Sequence, residues 1–112
     1  MIFINCTPHV VRVLEAGSDT ELVLEIQPSG HRPQVTQAMG PMEMVEGVPF
    51  RSCIRGGVSG LPEPREGTIL VVASMVREAL PDRTDLVSPD TSRDGAIRGS
   101  DGQPWATRWL IR

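Results

Sequence analysis

Between Gly67 and Ser74 the chain runs Thr-Ile-Leu-Val-Val-Ala, six residues without a charge or a turn-forming side chain. A run that short, apolar and rich in β-branched residues fits a strand buried on both faces. Such a strand needs cover on both sides, so the rest of the chain must supply it. Ser74 stands where a helix N-cap would. Met75, Val76, Ala79 and Leu80 then fall on one helical face, with Arg77 and Glu78 outside it. Pro81 stops this helix after two turns, and Asp82 to Thr91 is polar and proline-bearing. A buried strand leading into a capped helix and a polar loop is a common frame for a site, because helix N-terminal N–H groups favour anions.

The remaining segments read mostly as β. Ile2 to Asn5 is a short strand ended by Thr7-Pro8, and Val10 to Glu15 alternates. Leu22, Leu24 and Ile26 against Glu21 and Glu25 give the cleanest alternation, a half-buried strand. Gln34 to Met39 reads as another strand, and Gly40 to Gly47 as an exposed excursion without a period. Val48, Phe50, Ser52 and Ile54 share one strand face, with Arg51, Cys53 and Arg55 on the other. Gly56-Gly57 reads as a tight turn, and Leu61 to Gly67 as a proline-stiffened connection. Asp101-Gly102 marks a hairpin between arms at Ala96–Gly99 and Gln103–Ile111. Trp105, Thr107, Trp109 and Ile111 would share a face of its second arm, as core or sheet-packing residues, or alternatively as a stacking platform. The expectation is one domain over residues 1–112, mainly β (a β-rich α+β fold). It takes the form of a small antiparallel barrel or sandwich of about seven strands with one short helix near residues 74–80.

Composition removes several functions. All 11 basic residues are arginine, against 14 acidic ones, and no basic run stands out; this disfavours nonspecific nucleic-acid binding. No apolar stretch approaches the roughly 20 residues of a membrane span. The start, MIFINCTPHVV, has neither a basic n-region nor a cleavage site, so no signal peptide is expected. Cys6 and Cys53 are accordingly expected as reduced cytoplasmic thiols.

Three groupings can carry chemistry. Cys6 and His9, with His31 and Cys53, make a nominal Cys₂His₂ set, but the second pair is 22 residues apart and lacks a knuckle, so no metal is expected. Cys53 among arginines is a conceivable thiolate, yet no base is tied to it and surface placement accounts for it. The third grouping is Arg77, Arg83, Thr84, Asp85, Ser88, Asp90 and Thr91, with Thr7 and His9 brought near, around Ser74 at the helix start. Arginines suit bidentate recognition of phosphate or carboxylate. Asp85 and Asp90 would hold those arginines or accept ribose hydroxyls, and as paired acid–base carboxylates they are a weak signal. The bland reading is a loop stiffened by its own Asx turns and ion pairs. Within the site, Arg83 is the leading anion ligand, folding back across the helix end, and Arg77 the weaker one.

Three motifs carry a resemblance. Thr7-Pro8-His9 follows an N-terminal strand. Gly60 to Thr68 reads G-L-P-x-P-x-x-G-T, and Arg83 to Asp90 reads R-x-D-L-V-x-P-D. With Val71 to Leu80 these cover a little over a quarter of the chain, and they resemble a family of small uncharacterised proteins of bacteriophages, prophages and bacteria. The resemblance implies context: a phage-related accessory protein of the host cytoplasm. Small phage proteins of this kind often block host defence, some by sequestering nucleotide signals, an analogy of lifestyle and not of residues. It implies no catalytic residue and no cofactor. The first functional expectation is a non-enzymatic module for a small anionic, nucleotide-derived ligand. The second is a protein-interaction domain without a small ligand, in which Met42, Met44 and a sheet edge meet a partner chain. Short strands with unpaired edges also suggest a homo-oligomer.

Overall fold

The strand β6 (Thr68–Val71) is the centre of the molecule because its side chains alternate between two separate apolar clusters. In the computed structural model, Leu70 and Val72 face a cluster with Cys6, Val76 and Leu86, while Ile69 and Val71 face one with Val11, Val13 and Val87. Burying each of these aliphatic side chains is worth about 1.5–3 kcal/mol. The structure describes the backbone of all 112 residues and every side chain except that of Arg55, so its expected place beside Arg51 and Cys53 lies outside the described residues.

Three layers result. The middle one is a four-stranded sheet in which β1 (Ile2–Asn5) pairs parallel to β6, β6 parallel to β7 (Leu86–Pro89), and β7 antiparallel to β10 (Leu110–Ile111). Against one face lies a second sheet, ordered β3 (Leu22–Ile26), β2 (Val11–Leu14), β9 (Pro104–Thr107) and β8 (Ala96–Arg98). On the other face sit the helix α1 (Ser74–Ala79) and the root of a long hairpin, β4 (Gln34–Val45) with β5 (Val48–Ser59). Val35 and Val58 fasten that root to the cluster around Leu70. No helix among the described residues is long and apolar enough to cross a membrane.

The mainly β architecture with a single short helix is as the sequence suggests, and details differ for physical reasons. The sheets stay open and do not close into a barrel. The central pairings β1·β6 and β6·β7 are parallel, as is β2·β9. Ser74 is not the N-cap: Val76 and Arg77 both donate to the Ala73 carbonyl, at 3.0 and 3.2 Å, so Ala73 caps the helix in extended geometry and Ser74 is already inside it. The second arm of the Asp101-Gly102 hairpin breaks after Thr107, and β9 and β10 join different sheets. Trp105 and Trp109 are thus 40% and 48% exposed, outside the core.

The largest difference is the β4–β5 hairpin. Gly40 to Gly47 is not an excursion but the outer half of a twelve-residue strand and its turn, and Gly56-Gly57 lies inside β5. The chain reverses at Glu46-Gly47, where both residues have positive φ, 51° and 80°, the geometry of a tight hairpin turn. A register shift between Met39 and Met42, where Gly40 and Pro41 sit, adds one residue to β4. That bulge places Met39 on the same face as Met42 and Met44; without it the odd-numbered residue would point the other way. By register, the opposite face carries Val45, Val48, Phe50 and Ile54. Both faces are open to solvent, with Met42 63%, Phe50 53% and Ile54 61% exposed.

Candidate functional site

The first bend of the chain is built by Asn5, the last residue of β1 and fully buried. Its Nδ2 donates to the carbonyls of His9 (2.7 Å) and Ile26 (3.0 Å), and its Oδ1 accepts from the Thr7 backbone N–H (2.9 Å) and the Thr7 hydroxyl (2.6 Å). One side chain thus turns Thr7-Pro8-His9 over the end of the middle sheet. Ser29 ties the same corner, its hydroxyl donating to the Asn5 carbonyl at 2.7 Å.

Because β1, β6 and β7 run parallel, their carboxyl ends lie at one edge, and three loops leave from it. Thr7 to His9 follows β1, Ala73-Ser74 follows β6, and Asp90-Thr91 follows β7 at Pro89. Across from them stand Val11 and Arg12 on β2 and Pro104 to Thr107 on β9. Between lies a cavity of about 780 Å³, within the range of small-molecule sites. Its walls are largely apolar: Pro8, Val10, Ala73, Pro89, Trp105 and Ala106. The carboxyl ends of parallel strands are where open sheets place ligands, since loops diverge there over rigid strand ends.

Polar groups at the rim are held in place. The Arg12 guanidinium lies 5.4 Å from the Trp105 ring centroid and donates through Nε to Glu25 at 3.1 Å. The Asp90 carboxylate accepts from the Ser92 backbone N–H (2.9 Å) and from Trp109 Nε1 (2.7 Å). Hydrogen bonds from Ser92, then from Trp109, hold the Asp90 carboxyl below the usual carboxylate range. Gly95 makes room for it, because a Cβ there would collide with the carboxyl group. Comparison with family models, with curated proteins and with solved structures returns no match.

The site residues expected from sequence divide between two places. Thr7, His9, Ser74, Asp90 and Thr91 line the large cavity. Arg77 and Arg83 line a smaller hollow of about 500 Å³ beyond the helix, with Glu78 and Arg112. There the arginines are already engaged. Arg83 forks onto Asp85, Nε to Oδ1 at 3.0 Å and Nη2 to Oδ2 at 2.6 Å, and also reaches the Pro62 carbonyl at 3.1 Å. Arg77 donates to Ser88 Oγ at 2.8 Å, and Ser88 is fully buried. Arg83 therefore pins the Leu61–Gly67 connection to the start of β7 and does not fold back over the helix N-terminus. Cys6 is buried, and burial pushes its thiol pKa up against the opposing Ser29 hydrogen bond; Cys53 is exposed on the hairpin. Sequence reading missed Asn5 and Arg12 as site builders. The signal for Asn5 is one polar residue closing an apolar strand directly before Thr-Pro-His. Arg12 carries none, because its partner Trp105 is 93 positions away.

Proposed function

We propose that this chain is a non-enzymatic binding module whose ligand occupies the cavity at the carboxyl ends of β1, β6 and β7. The observation that carries the reading is the cavity itself: three loops over fixed strand ends, an apolar wall with Trp105, and Arg12 and His9 at the rim. A ligand matched to this wall has a flat ring to stack on Trp105 and an anionic group within reach of Arg12, His9 and the Ser74 hydroxyl. A small nucleotide-derived anion has both parts. Asp90, the carboxylate in the lining, is occupied by Ser92 and Trp109, which suits holding a ligand more than moving protons. The resemblance of Thr7–His9, Gly60–Thr68 and Arg83–Asp90 to motifs of small phage proteins extends the proposal to an accessory protein that sequesters a nucleotide signal of host defence in the cytoplasm.

The test is mass spectrometry of small molecules released on denaturation, followed by melting in the presence of cyclic and linear nucleotides. A ligand at about a hundred times its Kd stabilises by about 2.7 kcal/mol, which raises Tm by several degrees. Trp105→Ala should then weaken binding by about 1–3 kcal/mol, the scale of one stacked base, and leave the fold intact. If no anionic metabolite co-purifies and none shifts Tm, the reading fails.

A further inference from the structure

The β4–β5 arm meets the body at its root, through Val35 and Val58 and through Gln37, which donates to Met75 Sδ of α1 at 4.0 Å, and beyond that both of its faces expose large apolar side chains. We propose that it is a dimerisation arm that reaches over a second copy of this chain. In this two-fold arrangement the Val45, Val48, Phe50 and Ile54 face meets the partner's arm, and the methionine face meets the partner's body. Three observations favour a copy of the same chain. The seven apolar side chains of Met39, Met42, Met44 and the Val45–Ile54 face are each more than two-fifths exposed. They offer on the order of 800 Å², the share each partner gives to a standard interface. The arm's sequence carries two glutamates, Glu43 and Glu46, and two arginines, Arg51 and Arg55, so it is neutral in a chain of net charge −3. By register Glu43 shares the Phe50 face and Arg51 the methionine face, so the face that meets the partner's body brings positive charge to a net-acidic body, as a second copy of this chain supplies. Finally, Arg51 turns its Nε onto the Gly40 carbonyl of its own arm at 2.8 Å. That one bond orients the guanidinium and leaves its positive charge on the methionine face, where it suits an acidic partner body. A closed two-fold pair covers both arms at once, whereas a ribbon open on both faces is marginal in water.

The experiment is sedimentation or light scattering over a dilution series, on the whole chain and on two double variants, Phe50→Glu with Ile54→Glu and Met42→Glu with Met44→Glu. The unaltered chain should run at twice its 12.2 kDa mass at roughly 50 μM and dissociate on dilution, as a mass-action dimer does. Both double variants should run as monomers with an unchanged near-ultraviolet circular dichroism spectrum and unchanged response to any cavity ligand. Amide exchange in residues 37–55 should slow as the unaltered chain is concentrated, which needs no variant. A monomer throughout the series, a dimer that survives both pairs of substitutions, or arm exchange independent of concentration would each overturn the proposal. A monomer whose arm is protected only by a different added protein would overturn it in favour of that partner.

Discussion

Arg83 and Asp85 stand two residues apart in sequence and form a two-pronged pair that is only 21% and 16% exposed. Removing one partner leaves a half-sheltered charge uncompensated, and the Pro62 carbonyl loses its donor. Arg83→Ala should therefore lower stability by about 1–3 kcal/mol, read by urea denaturation, without affecting binding in the cavity. The pH dependence has a definite sign. Hydrogen bonds from Arg83, in the first place, hold the Asp85 carboxyl below its ordinary value, so the folded chain binds fewer protons there than the unfolded one. The stabilisation is complete above the unfolded value, about 3.9, and is lost as pH falls through the folded value. In Arg83→Ala the acid limb of the stability curve should flatten; an unchanged limb would assign the acid sensitivity elsewhere. At this scale the sequence names the polar residues but not their partners. Arg83 and His9 look alike as anion ligands until the fold shows one forked onto Asp85 and the other on a cavity wall.

At the scale of elements, what was legible followed burial. β6 is buried at every position and apolar after Thr68 because it is covered twice, and β3 alternates because it is covered once. Asp101-Gly102 turns the chain where an Asp-Gly pair should, with Gly102 at φ 79°. The strands at Gln34–Met39 and Val48–Ile54 were legible, but their union into one long arm was not, because the period is interrupted: the Gly40-Pro41 bulge shifts the alternation by one, and the turn is Glu-Gly, where Glu46 itself takes positive φ. That turn is testable. Nothing lies within 4 Å of a Cβ at Gly47, so only backbone conformation opposes a side chain there. Gly47→Ala should cost the arm about 1 kcal/mol and speed exchange of its amides by about fivefold. The exchange rates of β6 amides should not change, since the arm meets the body only at its root.

The whole molecule measures 52 × 36 × 22 Å with a Cα radius of gyration of 17.0 Å, against roughly 13 Å for a compact domain of this length. The excess reflects an arm standing off a small layered body. That body is mixed and open, which no local pattern announces: a strand does not reveal whether its neighbour runs with it or against it. The same parallel pairing has a consequence in time. Ile2 pairs with Thr68, and 68 − 2 gives 66 positions of intervening chain. At synthesis rates of about 5–20 residues per second, the first strand made waits roughly 3–13 s before its partner exists. The cavity waits longer still, since Gln103 to Thr107 complete its wall. Nascent chains halted before β6 should thus leave Ile2 to Asn5 open to protease, and the finished chain should refold in milliseconds to seconds, the pace of non-local pairing. Until β6 arrives, Ile-Phe-Ile of β1 has no strand partner and is open to another newly made copy or to a holding chaperone.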